Sequence, residues 1–163
     1  MHLSQAIVSF GMSDCMQQLL GKRVYFDVNV FIYAVEPTQD MQAYFATVTQ
    51  LFEMAVAKKI IAITSELTLA EALVGAYKNN KPLVTLYEDM ISDRPELAVY
   101  PIDRTILTTA ALLRSEQKTA LADAIHVSTA LTHGADFFIT QDKRLHTVEG
   151  LQKLTLDSLL ITQ

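Results

Sequence analysis

Four carboxylates in this chain are placed where their side chains could share one ion. Each follows a stretch that is predicted to be a buried strand, or lies on a helix that comes after one. Because ligands of an open parallel sheet bind beyond the carboxyl ends of its strands, such acids would gather at one edge. A pocket of carboxylates suits a hard divalent cation and indicates phosphodiester chemistry. The four acids are Asp27, Glu71, Asp123 and Asp142.

Each of these acids also has an ordinary structural explanation. Asp27 and Asp123 could be helix N-caps, and Asp142 could be a turn or cap residue. Glu71, taken alone, would more often be a solvated residue on a helix face. The predicted metal site therefore rests on the joint placement of the four. It also rests on Asp123, because its charge would lie on a largely apolar helix unless a cation compensated it.

Three further polar residues stand close to the acids in the sequence. Asn29, two residues after Asp27, could lie near a metal or its water, or could cap a helix. Thr140 could hydrogen-bond the site or simply end a strand. His126 lies one helical turn from Asp123. We interpret it as a satisfied structural histidine rather than a catalytic base, because metal-bound water would not need one.

Composition bounds the class of protein. The chain has 163 residues, half of them hydrophobic and 19% charged, which predicts one domain with a real core and excludes a disordered polyelectrolyte. The apolar run Val28–Val35 is too short to span a bilayer. The N-terminus lacks the basic and apolar regions of a secretory signal. Cys15, the single cysteine, is interpreted as an incidental thiol, and a reducing cytoplasm is the expected location.

The acidic net charge does not by itself exclude nucleic acid as a partner. The charge is −5 for the whole chain and −1 without the four acids, so the excess belongs largely to the predicted site. Lys118, Lys143 and Arg144 lie near two of the acids and are predicted phosphate contacts, although ordinary solvated charges explain each equally well. So few contacts would give weak, salt-sensitive binding.

Short apolar runs alternate with helical patterns from Lys22 onward. The predicted strands are Val24–Phe26, Ile60–Ile63, Leu97–Tyr100 and Phe137–Thr140, with Leu154–Leu156 as a possible edge strand. The predicted helices are Asn29–Val35, Met41–Lys59, a helix from the Ser65 cap through Tyr77, Pro82–Ile91, Asp103–Ser115 and Leu121–His133. This order predicts an α/β protein, a three-layer α/β/α sandwich with a central parallel sheet of four to five strands.

The alternation also divides the chain. Residues 1–21 are predicted to be an N-terminal extension of uncertain structure, and residues 22–163 a single domain. In the helix after the second strand, one apolar arc is expected to face the core, with Glu71 just outside its edge. The arc consists of Leu67, Ala70, Leu73, Val74 and Tyr77.

Three stretches resemble the motifs of the PIN-domain family. DVNVFIYA, with Asp27 and Asn29, is similar to the opening motif, and TSELTLAE, ending at Glu71, is similar to the second. The third and fourth motifs are matched by LADAIHVSTALTHGADFFITQDKRL, with Asp123 and Asp142. The resemblance covers the chain from about Lys22 to Thr155. It departs from the family where Gln141 precedes the last acid and no further carboxylate follows before Glu149.

The resemblance implies a function as well as a fold. Single-domain PIN toxins of the VapBC type, and their stand-alone relatives, are Mg²⁺- or Mn²⁺-dependent ribonucleases. Their acids hold one or two ions, and the cleavage they catalyse gives 5′-phosphate and 3′-hydroxyl products. By resemblance, Asp27, Glu71, Asp123 and Asp142 are expected to be both the catalytic and the metal-binding residues. An RNA substrate, an antitoxin that blocks the site and a homodimer are the expected partners.

Two alternatives remain at this point. The chain could be a non-catalytic PIN-fold module that binds RNA or protein, although the presence of all four acids argues against decay of the site. It could also be a phosphotransferase of the haloacid dehalogenase type, which places an acid after a hydrophobic strand. In that class a second acid would stand at Asn29, and its absence disfavours this alternative.

Overall fold

The computed structural model of the protein describes residues 12–36, 38–39 and 42–160. Its strands are β1 (Arg23–Phe26), β2 (Ile61–Ser65), β3 (Leu97–Tyr100), β4 (Phe137–Thr140) and β5 (Gln152–Thr155). Its helices are α1 (Asp14–Gln17), α2 (Val28–Val35), α3 (Gln42–Val56), α4 (Glu66–Asn79), α5 (Leu83–Met90), α6 (Arg104–Glu116), α7 (Leu121–Thr132) and α8 (Leu156–Leu159). Within these ranges, no helix is both long and apolar enough to cross a membrane.

The five strands form one parallel sheet in the order β3-β2-β1-β4-β5. Strand β1 is central, and Val24 lies beside Ala62 on one side and Phe137 on the other. The chain first builds outward through β2 and β3, then crosses back to place β4 against the free edge of β1. The carboxyl ends of β1 and β4 therefore form the switch point at which parallel sheets bind ligands. The predicted α/β/α class is confirmed.

Both faces of the sheet are covered, which explains the apolar runs of its strands. On one face, Phe26 packs edge-on against Phe31 of α2 and Phe52 of α3, at centroid distances of 6.3 and 5.6 Å. On the other face, the Tyr25 ring stacks on Phe138 at 4.9 Å. Helices α6 and α7 cover this second face, and the remaining helices pack on the first.

The residues just before β1 pack against the domain. Met16 and Leu19 are fully buried in the main core. The Ser13 hydroxyl accepts a hydrogen bond from the Met16 amide, which caps α1, and donates to the carbonyl of Leu159 in α8. Of the predicted extension, residues 12–21 thus pack into the main core and contact α8. Residues 1–11 lie outside the described residues.

Three local predictions need correction. On α4, Val74 and Tyr77 are both 55% exposed. The predicted apolar arc is therefore wrong for these two and for Ala70, which is also exposed, and the buried residues of α4 are Thr68, Ala72 and Ala76. Helix α3 ends at Val56, earlier than predicted, because Lys58 adopts a positive φ of 56° and turns the chain. Strand β5 starts at Gln152, and Leu156 already begins α8.

Candidate metal centre

Asp27 lies at the carboxyl end of β1 and directly before α2. It is the N-cap of α2, where its Oδ1 accepts a hydrogen bond from the Val28 amide at 2.7 Å. Its Oδ2 accepts a second hydrogen bond from the Thr140 hydroxyl at 2.6 Å. The side chain is nearly buried, and burial raises the pKa of Asp27 although His126 and both hydrogen bonds act to lower it. Asp27 is thus a helix cap and also a desolvated carboxylate at the switch point of the sheet.

Thr140 links the first of the four acids to the last. Its hydroxyl donates to Asp27 and accepts a hydrogen bond from the Asp142 amide at 3.0 Å. Asp142 Oδ1 in turn accepts from the Arg144 amide at 2.8 Å, so the turn expected at this position is present. The carboxyl ends of β1 and β4 are thereby joined by side-chain hydrogen bonds.

Glu71 of α4 and His126 of α7 contact each other through their side chains. His126 Nε2 lies 2.8 Å from Glu71 Oε2 and 3.9 Å from Asp27 Oδ1. Asp27, Glu71 and His126 each offer one possible ligand atom, and these atoms all lie within 4.8 Å of one another. His126 Nδ1 lies 2.8 Å from the Tyr25 hydroxyl, so both ring nitrogens have partners, as expected for a structural histidine.

Asp123 is the third residue of α7 and half-buried, and the N-cap of this helix is Ala120. Burial raises the pKa of Asp123, and the negative charges of Asp142, Asp27 and Glu71 raise it further. Among the described residues, the group of possible ligand atoms contains Asp27 and Glu71 but not Asp123 or Asp142. That all four acids share one site stays a prediction.

The charges around this cluster fit a bound cation. The cations next to the four acids include His126 and Arg144, which contacts Asp142. Burial would lower the pKa of His126, but Tyr25, Glu71 and Asp27 raise it to about 10. These two cations do not balance four carboxylates, of which Asp27 and Asp123 have raised pKa values. Oxygen ligands of this kind are the ones that Mg²⁺ and Mn²⁺ accept. The residues present thus suit a divalent metal.

The sequence interpretation missed Tyr25 and the hydrogen bond that it shares with the Ser65 side chain. Tyr25, on β1, bonds His126, and its hydroxyl also lies 2.8 Å from Ser65 Oγ. Ser65 occupies the N-cap position of α4, as expected, but its side chain makes no cap hydrogen bond. A tyrosine within a buried strand was a usable signal, because its hydroxyl requires a partner.

The predicted phosphate contacts are near two of the acids in sequence, since Lys143 and Arg144 follow Asp142 and Lys118 precedes α7. Arg144 is 92% exposed, and its Nε lies 3.4 Å from Asp142 Oδ1. Lys143 Nζ lies 3.0 Å from Asp157 Oδ2. Lys118 is exposed and lines an open depression with Arg114, just before α7 begins. Their contacts with RNA stay a prediction.

A protein-family model described as PIN domain matches residues 24–151. No curated protein matches the chain.

Solved structures with the same fold come from several bacteria. A toxin–antitoxin complex from Klebsiella pneumoniae has 23% identity and a TM-score of 0.55, covering 78% of this chain and 94% of that one. DNA-bound VapBC from Salmonella typhimurium has 17% identity and a TM-score of 0.63, covering 83% and 98%. VapC20 of Mycobacterium tuberculosis, a sarcin–ricin loop cleaving toxin, has 12% identity and a TM-score of 0.57, covering 71% and 86%. At these identities the likeness establishes the fold alone.

Proposed function

The chain belongs to the PIN-domain family, and we propose that it is a metal-dependent endoribonuclease acting as the toxin of a toxin–antitoxin pair. The observation that carries the proposal is the convergence of Asp27, Glu71 and His126, whose possible ligand atoms lie within 4.8 Å of one another. A cluster with this excess of negative charge is unfavourable without a cation. The neighbouring toxin structures support the same interpretation, since one is described as a sarcin–ricin loop cleaving toxin.

In the proposed site, the four acids hold one or two Mg²⁺ or Mn²⁺ ions directly or through water. Such an ion supplies Lewis acidity, which acidifies an attacking water and stabilises charge on the leaving oxygen. Asp27 is fixed by Val28 and Thr140, so its carboxylate is held in place before a metal arrives. Thr140 also fixes the backbone of Asp142. Asn29, half-buried in the first turn of α2, is proposed to support the same edge.

The proposed substrate is RNA, bound across the acidic cluster by the cations at its rim. Lys118 and Arg144 are both exposed and are proposed to contact phosphates. Lys143 is proposed to contribute less, because its ammonium group already contacts Asp157. An antitoxin and a second copy of the chain are the proposed protein partners, and the single cysteine suits a reducing cytoplasm.

Removal of single carboxylates tests the activity. Asp27→Asn and Asp123→Asn are expected to lower cleavage of mixed RNA in Mg²⁺ or Mn²⁺ by at least about 100-fold, because each removes a charged oxygen ligand. Glu88→Gln is the matched control, since Glu88 is an exposed acid on α5, outside the site. Circular dichroism monitors folding. Cleavage at the wild-type rate by both folded aspartate variants would contradict the nuclease function.

Metal binding separates this proposal from a non-catalytic module of the same fold. Calorimetric titration with Mn²⁺ is expected to give saturable binding to the wild-type protein and much weaker binding to Asp27→Asn. A module that recognises RNA or protein without catalysis would not require this dependence on Asp27. Absence of Mn²⁺ binding to the wild-type protein would favour that alternative.

A further inference from the structure

We propose that His126 is a positioning residue that fixes the Glu71 carboxylate beside Asp27, held for this purpose by a buried hydrogen-bond chain through Tyr25 to Ser65. This inference rests on the proposed function, because it assigns Glu71 to a metal. It adds a hydrogen-bond chain that holds one of the four acids in place.

The chain of hydrogen bonds begins at the N-cap of α4 and ends on the helix itself. Ser65, directly before the helix, pairs with the Tyr25 hydroxyl at 2.8 Å. Tyr25 pairs with His126 Nδ1 at 2.8 Å, and His126 Nε2 pairs with Glu71 Oε2 at 2.8 Å. Because Glu71 lies in the second turn of α4, the chain connects the start of this helix to its functional side chain by way of β1 and α7.

The direction of the last hydrogen bond does not depend on the charge of His126. A carboxylate only accepts, so Nε2 carries the proton and donates to Glu71. In the neutral ring, Nδ1 accepts from Tyr25, which accepts from Ser65. In the charged ring, Nδ1 donates to Tyr25, which donates to Ser65. The two hydroxyls can reverse together, and Glu71 receives a hydrogen bond in both states.

The imidazole is also fixed by packing. His126 is 2% exposed, and its ring meets Tyr25 edge-on at a centroid distance of 5.8 Å. Tyr25 is stacked on Phe138, so neither ring has room to turn. The Glu71 side chain, in contrast, is one-third exposed and has three rotatable bonds to order. A rigid donor restrains this flexible carboxylate, as residues behind metal ligands commonly do.

Metal affinity and stability together distinguish positioning from a merely structural role. His126→Leu is expected to weaken Mn²⁺ binding about 10–100-fold, which is the usual effect of losing a partner behind a ligand. His126→Gln retains an N–H donor and is expected to recover most of this affinity. Tyr25→Phe keeps the stacked ring but frees Nδ1, and is expected to weaken Mn²⁺ binding to an intermediate extent. Calorimetry gives the affinities, and thermal unfolding in chelator gives the stabilities.

Tyr87→Phe provides the matched control. It also deletes a buried tyrosine hydroxyl, which donates to Glu36 at 2.5 Å on a different part of the fold. We expect it to lower stability and leave Mn²⁺ affinity unchanged. If Tyr25→Phe and Tyr87→Phe both lower stability and neither changes affinity, the chain is only structural and the inference is overturned. This comparison decides the question even if His126→Leu does not fold.

Other results separate this inference from the proposed function. If the wild-type protein binds Mn²⁺ and Asp27→Asn does not, but His126→Leu binds as tightly as wild type, only the positioning role fails. If His126→Gln is as weak as His126→Leu and the preference shifts from Mn²⁺ toward Mg²⁺, His126 is itself a ligand and positioning is again overturned. If the wild-type protein binds no Mn²⁺, the metal site fails, and the inference fails with it.

Discussion

At the scale of single residues, the structural and functional explanations of the acids are not exclusive. Asp27 does cap α2 and Asp142 does stabilise a turn, yet both lie at the carboxyl edge of the sheet. The sequence could predict this placement because strand ends are readable from short apolar runs. It did not predict the role of Tyr25 and left open whether Thr140 bonds the site, because their partners lie about a hundred residues away in sequence. Long-range side-chain pairing depends on the strand order, which periodicity does not supply.

The crowding of acids predicts an unusual effect of Asp123→Asn on stability. Burial and three neighbouring acids raise the pKa of Asp123, so its ionised form opposes folding when no metal is bound. In chelator at neutral pH, the variant is expected to be more stable than wild type by at most about 1 kcal/mol, because solvent screens the repulsion at this half-buried carboxylate. In excess Mn²⁺ the order should reverse, because metal stabilises only the wild-type protein.

The same effect has a defined pH dependence. A carboxyl group with a raised folded pKa favours folding below its unfolded value, 3.8 here, and this contribution is lost as the pH rises through the folded pKa. The advantage of Asp123→Asn in chelator should therefore shrink as the pH is lowered from neutrality. Glu88→Gln controls for the loss of one charge. Equal stability of Asp123→Asn and wild type at every pH would contradict the proposed repulsion between Asp123 and its neighbouring acids.

At the scale of helices and strands, the pattern of the sequence was sufficient for most of the architecture. The strands β1 to β4 were placed within two residues of their ends, because apolar runs of strand length are easily recognised. The buried face of α4 was not recognised. Its apolar residues Val74 and Tyr77 are exposed, and the small residues Ala72 and Ala76 pack inside. Helical spacing identifies a face, but the available space between neighbouring helices selects which face is buried.

A polar cluster around Asp157 of α8 predicts how the stability of the fold depends on pH. Asp157 accepts hydrogen bonds from Tyr44 of α3 and from Gln141 Nε2 at 3.1 Å, and it contacts Lys143. These partners lower the pKa of Asp157 to about 2, with Tyr44 the largest cause. A lowered carboxyl pKa stabilises the fold above the unfolded value of 3.8, and the effect is lost as the pH falls toward 2.

Tyr44→Phe should therefore be destabilising near neutral pH, by about 1 kcal/mol for one charge-assisted hydrogen bond. The difference from wild type should narrow as the pH falls below about 4, because the wild-type protein then loses the same contribution. Urea unfolding at a series of pH values measures this difference. Tyr77→Phe, at an exposed tyrosine of α4, should leave the curve unchanged. A constant difference at all pH values would show that Asp157 does not carry the effect.

At the scale of the whole molecule, charge distribution rather than net charge determines how RNA would bind. The protein is acidic, but four of its 18 acidic residues are the proposed site residues, and three cations lie near these acids in sequence: Lys118, Lys143 and Arg144. Each phosphate neutralised on a single strand contributes about −0.7 to the slope of log K against log salt, so three contacts predict a slope of about −2.

Asp27→Asn allows binding to be measured by fluorescence anisotropy without cleavage. In that background, Lys118→Ala should reduce the slope by about 0.7. Lys59→Ala should leave it unchanged, because Lys59 precedes β2 at the opposite edge of the sheet. Equal effects of the two lysine substitutions would mean that RNA does not cross the acidic edge.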